Sequence, residues 1–119
     1  MKDLNYFSKI YLATKPAEFR KQAYGLSLLV KQRLNLELFD DKSLFVFINR
    51  HRDSIKMLYW DLTGLALWVK NLEKEKFCWL RKVSDPSSAI TARELKWLLQ
   101  GADITKIKSH KKLNFKEVF

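Results

Sequence analysis

Apolar residues recur along this chain with two different spacings. Between residues 44 and 80 they come in short blocks, "LFVFI" (44–48), "SIKMLYW" (54–60), "LALWV" (65–69) and "FCWL" (77–80). Polar clusters, "NRHRD", "DLTG" and "EKEK", separate them. Short apolar runs bounded by turn residues read as strands. "SKIYLAT" (8–14) reads as one more strand near the start. Helical spacing appears in two places. After Pro16, a residue suited to the first helical position, Phe19, Ala23, Leu26, Val30 and Leu34 form a stripe that predicts a long amphipathic helix. Its other side carries Arg20, Lys21, Tyr24, Ser27 and Lys31. Gly25, in mid-helix, is expected to mark a close approach by another element.

A second, shorter helix has a clear start and stop. It follows a loop expected at "SDPSS" (84–88). Thr91 and Glu94 have capping-box spacing, and Ile90 with Leu95 has that of a hydrophobic staple. Leu95, Leu98 and Leu99 make its stripe, and Gly101 is placed as its left-handed cap. The expected fold is α+β: an antiparallel β-meander of about four to five strands packed with one long N-terminal helix and one short C-terminal helix. Residues 1–103 are expected to form one domain and 104–119 a basic tail.

Register decides which side chains share a face. Reading "DLTG" as a type I turn closed by a left-handed glycine pairs Asp61 with Leu65. Leu72 is paired with Phe77 across the next loop. One face then collects Phe45, Phe47, Ile55, Met57, Tyr59, Leu65, Leu67, Val69, Cys78 and Leu80, which is a core. The other collects Val46, Lys56, Leu58, Trp60, Trp68, Lys70, Leu72, Phe77, Trp79 and Arg81. Three tryptophans interleaved with cations suit an open nucleic-acid platform. The same face can instead be covered by a helix, the reading the apolar Val46, Leu58, Leu72 and Phe77 favour, with lysine stems reaching past the rings to water.

Charge sharpens the question. Of 119 residues, 23 are Lys or Arg and 13 are Asp or Glu, a formal net charge of +10. The excess is spread along the chain and favours a polyanion, or else a merely well-solvated basic surface. The single cysteine permits no intrachain disulfide, no leader-like apolar run opens the chain, and no run is long enough to span a bilayer. A cytoplasmic protein without membrane partners is expected. Catalytic chemistry finds no footing. Two distant histidines, one cysteine placed in the core, three glycines and scattered carboxylates make no metal site, nucleophile pair or phosphate-cradling loop. No enzyme, cofactor or metal is expected.

Several strings carry a resemblance. "LFVFINRHRD" (44–53) running into "KMLYWDLTG" (56–64) resembles the small TnpB-type accessory protein encoded beside the transposase in insertion sequences of the IS66 type. "IYLATKPAEFRK" (10–21) followed by Gly25-Leu26 is similar to that family's first segment, with Glu18 for the usual aspartate and Phe19 for methionine. Lys70 to Glu73, Phe77 with Trp79, and Leu98 to Gly101 continue the match in order. Ile48, Ser54, Leu62 and Leu80 depart from the pattern. The resemblance implies a factor assisting transposition, with DNA, the element's transposase or both as partners, and it brings no catalytic residues.

Two functional readings follow. In the first, the protein binds DNA through Arg50, His51 and Arg52 of the first hairpin loop, Arg20 and Lys21 at the helix start, and Lys56, Lys70 and Arg81 among the aromatics. The loop arginines can instead be a solvated turn paired to Asp53, and Arg20 a structural ion pair. In the second, Trp60, Trp68, Trp79 and Tyr24 form a docking face for the transposase, without direct DNA binding.

Overall fold

The computed structural model describes residues 3–72, 76–77, 79 and 85–101. Five strands form one sheet: β1 (Lys9–Ala13), β2 (Ser43–Ile48), β3 (Ser54–Asp61), β4 (Gly64–Asn71) and β5 (Ser87–Ile90), in spatial order β4-β3-β2-β1-β5. The fold is α+β, but the sheet is mixed and not an antiparallel meander. β1 runs parallel to β2, with Ile10 beside Leu44 and Leu12 beside Val46. Parallel neighbours need a crossover connection, and residues 14–42 supply it with a helix. β5 pairs antiparallel with the other side of β1, so the expected loop at 84–88 contains the start of a strand. Its sequence, Ser87-Ser88-Ala89-Ile90, has no strand signal of its own; β1's hydrogen-bonding edge recruits it.

The first helix is shorter and later than the apolar spacing predicted. Residues 16–22 are irregular: the Ala17 N–H donates to the Ile48 carbonyl (2.8 Å) and the Lys21 N–H to the Glu18 carbonyl (3.1 Å). Helix α1 (Ala23–Leu29) starts only afterwards and continues as a wider π-helical turn, Val30–Leu34. Asn35, left-handed at φ 56°, ends it. The stripe itself is right: Leu26, Val30 and Leu34 are buried, with Phe19 and Ala23 packed at their margin. A side-chain carbon at Gly25 would come 3.1 Å from the Lys21 Cβ, so the close neighbour is the chain just ahead of the helix and not a separate element.

The second helix, α2 (Ala92–Leu99), follows the sequence closely. Thr91 and Glu94 complete a capping box, with the Thr91 Oγ1 accepting from the Glu94 N–H at 3.1 Å and Glu94 Oε1 accepting from the Thr91 N–H at 3.0 Å. Leu95 and Leu98 are fully buried, and Gly101 sits at φ 92° with its N–H on the Leu98 carbonyl.

Both faces of the sheet are covered, and this overturns the expected registers. β2 pairs with β3 as Phe45–Leu58, Val46–Met57 and Phe47–Lys56. β3 pairs with β4 as Asp61–Gly64, Trp60–Leu65 and Met57–Trp68. The second hairpin is therefore a two-residue loop with Leu62, not the glycine, in the left-handed region at φ 53°. One face, under α1, holds Ala13, Phe45, Phe47, Leu58, Leu65 and Leu67. The opposite face, under α2, holds Ile10, Leu12, Leu44, Val46, Ile48, Ile55, Met57, Tyr59 and Trp68, together with Phe77 and Trp79. Alternation cannot fix a register when both faces are apolar, because a one-residue slip trades one buried side chain for another. Phe77 and Trp79 lie outside any strand. The expected positions of Cys78, Leu80 and Arg81, and the proposed tail 104–119, fall outside the described residues. No described helix is long and apolar enough to cross a membrane.

Candidate nucleic-acid interface

The first hairpin loop is built around Asn49. Its side-chain Oδ1 accepts from the N–H groups of Asp53 and Ser54, both at 3.1 Å, and its Nδ2 donates to the Asp53 carboxylate at 2.6 Å. The Arg52 N–H closes the turn on the Asn49 carbonyl at 3.1 Å, with Arg52 left-handed at φ 61°. From the other side, Phe77 N–H reaches the Arg52 carbonyl and Leu72 N–H the Asp53 carbonyl, both at 2.7 Å. Asp53 is therefore occupied by Asn49. Arg50 and His51 are left exposed on a rigid loop, while Arg52 is half-buried.

That loop faces the irregular segment 15–20 across a groove of about 970 Å³. Its apolar lining comes from Ala13, Pro16, Ala17, Phe19, Leu29, Leu34, Phe47 and Pro86. Its polar lining is Lys15, Arg20, Arg33, Arg50 and His51, with Asn49 and one acid, Glu18. Glu18 takes a 3.0 Å ion pair from Arg20 Nη2, both side chains being largely exposed. The Arg20 hydrogen bond holds the Glu18 carboxyl below the usual carboxylate range, with Arg20's charge next and smaller help from Lys21 and Arg50. An exposed pair of this kind adds little to stability. Four full positive charges and a histidine against one carboxylate leave the groove ready for an anion.

The other candidates go elsewhere. Lys56, expected to contact phosphate, is buried: Nζ donates to the carbonyls of Phe19 (2.9 Å) and Lys21 (3.0 Å) and lies 4.9 Å from the Phe19 ring centroid. Burial lowers its pKa below that of an ordinary lysine. Lys56 is thus a strut that ties β3 to the groove wall. Lys21 is half-buried and precedes the helix instead of lying in its first turns. Lys70 donates to the Leu99 carbonyl (2.8 Å), at the negative end of α2.

The three indoles do not share a face. Trp79 is 5% exposed and donates Nε1–H to the Ala13 carbonyl at 2.9 Å. Trp68 packs on the α2 side. Trp60, one residue off the β3 positions that face α2, meets Phe39 edge-on at 4.9 Å. Tyr24 stands exposed on α1. The tryptophan platform is therefore not assembled. Lys15 and Arg33 are groove residues that the sequence did not single out. Nothing in their local context marks them, because only the crossover brings them to the loop.

A small basic α+β protein with an anion-ready groove is the class that these observations define. The chain belongs to the IS66 Orf2-like family: the model of that family, described as "IS66 Orf2 like protein", matches residues 8–109. Two curated relatives come from Sinorhizobium fredii. The uncharacterized protein y4jC is 33% identical over 100 residues, covering 84% of each chain. The uncharacterized protein y4hO is 30% identical over 95 residues, covering 80% of this chain and 81% of its own. No solved structure matches the chain. Family membership makes this a protein associated with an insertion element.

Proposed function

We propose that the protein assists transposition by binding DNA through the groove between the Asn49–Ser54 loop and the 15–20 segment. The observation that carries this reading is the convergence of Arg20, Arg33, Arg50, Lys15 and His51, from three separate stretches of chain, on one concave surface. Arginine and lysine on a rigid rim recognise phosphate oxygens without reading sequence, which suits a net charge of +10. The docking-face alternative has less support: Trp79 is buried, Trp68 packs against the α2-side core and Trp60 meets Phe39, which leaves Tyr24 as the exposed member of that face.

Replacing Arg20, Arg33 and Arg50 by alanine tests the reading. Each lost phosphate contact should flatten the slope of log K against log salt by about 0.7–0.9. Lys96→Ala, exposed on α2 across the sheet, is the control and should leave the slope alone. A triple variant with the wild-type slope refutes the groove as the DNA site. Transposase capture that survives nuclease treatment and the triple substitution would favour the adaptor reading.

A further inference from the structure

The apolar floor of the groove raises a question that phosphate contacts leave unanswered. A site that only tracked a duplex backbone would need cations and no hollow. Here the cations ring a depression of about 970 Å³ whose floor includes the buried Phe47 and Leu34 and the half-buried Phe19 and Leu29. Lys56 holds the Phe19 turn in place from below, through the two carbonyl bonds described above. We infer that the groove takes an unpaired stretch of DNA, its phosphates on Arg20, Arg33 and Arg50 and a base against the Phe19 side of the apolar floor.

The chemistry favours this occupant over a duplex. In a duplex the bases are stacked and paired, and only sugar and phosphate reach a concave surface. An unpaired strand offers both parts at once: a charged backbone for the rim and a flat, weakly polar base for the floor. The net positive rim repels a basic peptide and offers a neutral one no charge partner. An acidic peptide would satisfy the rim as well, so the test must separate base from charge.

The inference rests on DNA binding by the groove, and three labelled probes compared by fluorescence anisotropy at one salt concentration separate the two ideas. They are an oligothymidine strand, a duplex of the same length, and a strand of the same length made of abasic sugar-phosphates. The single strand should bind more tightly than the duplex. The abasic strand, with the same charge and no bases, should bind about five- to hundredfold more weakly than oligothymidine. Phe19→Ala should lower affinity for oligothymidine and leave the abasic strand unchanged. Arg33→Glu should weaken both. Equal binding of oligothymidine and the abasic strand, or tighter binding of the duplex, overturns this inference and leaves the phosphate-binding groove standing. Binding that Arg33→Glu and Arg50→Glu leave unchanged removes the groove from both proposals. Failure to bind any probe at low salt overturns both.

Discussion

Lys56→Met separates a strut from a phosphate contact. The substitution keeps the aliphatic stem along β3 and removes the ammonium. Two charge-assisted hydrogen bonds go with it, to the Phe19 and Lys21 carbonyls, each contributing about 1.5–3 kcal/mol. Two effects oppose that loss. The ammonium sits in a residue only 6% exposed, so its removal relieves a desolvation cost of several kcal/mol. The segment 18–22 also runs along the surface, where water can take over the freed carbonyls. The net should be a loss of about 1–2 kcal/mol, which lowers Tm by about 4–10 °C. The slope of DNA affinity against salt should not fall, because no phosphate contact is lost.

Stability against pH gives a second readout. The folded pKa of Lys56 lies below its unfolded value of 10.5, so the folded state releases this proton first. Between those two values the unfolded chain binds more protons, and this group's contribution to stability rises with pH. The cost of the buried charge is full below the folded pKa and is relieved as pH climbs to the unfolded one. The stability difference between wild type and Lys56→Met should therefore grow across that alkaline window. Denaturant titrations at several pH values measure it. An unchanged Tm, together with a salt slope flattened by about one contact's worth, would refute the strut and return Lys56 to the DNA.

Trp79→Ala should destabilise by about 3–5 kcal/mol, and Trp79→Phe by about 1 kcal/mol for the lost bond to Ala13; chemical denaturation measures both, and near-neutral values would mean an exposed indole. Thr91→Ala removes the cap of α2 and should cost about 1 kcal/mol, whereas Thr91→Ser should restore most of it. Leu62→Gly should raise stability by up to about 1 kcal/mol, because the exposed leucine holds a left-handed conformation costing about 1–2 kcal/mol; a lower Tm would contradict that turn geometry. Asp40 is held below the usual carboxylate range first by the Lys42 N–H, then by Lys9. Its contribution is present above the unfolded pKa and fades as pH falls through the folded one, so Asp40→Asn should flatten the acid limb of the stability curve below about pH 4.

Local signals were legible in the sequence, and non-local pairings were not. Thr91, Glu94 and Gly101 act within a few residues of one another, so α2 and both its ends could be read directly. The stripe Leu26, Val30 and Leu34 likewise announced a helix, and the apolar blocks at 44–48, 54–60 and 65–69 announced strands. The basic excess pointed to a polyanion, and the string from Leu44 to Gly64 to a family. Where the first helix begins was less visible, because Pro16 permits a helix start without requiring one. Strand order depended on partners far along the chain. β1 lies beside β2 and β5 through hydrogen bonds between residues more than thirty and seventy positions apart, and no short window encodes that choice. Register failed for a related reason: with α1 on one face and α2 on the other, apolar side chains suit both sides of β2 and β3. The lysine head groups show the same division. The sequence placed Lys56 and Lys70 in strands, but the carbonyls that hold them lie 35–37 and 29 residues away. Only the folded chain turned these two lysines inward, and only its crossover brought Lys15 and Arg33 to the loop of Arg50.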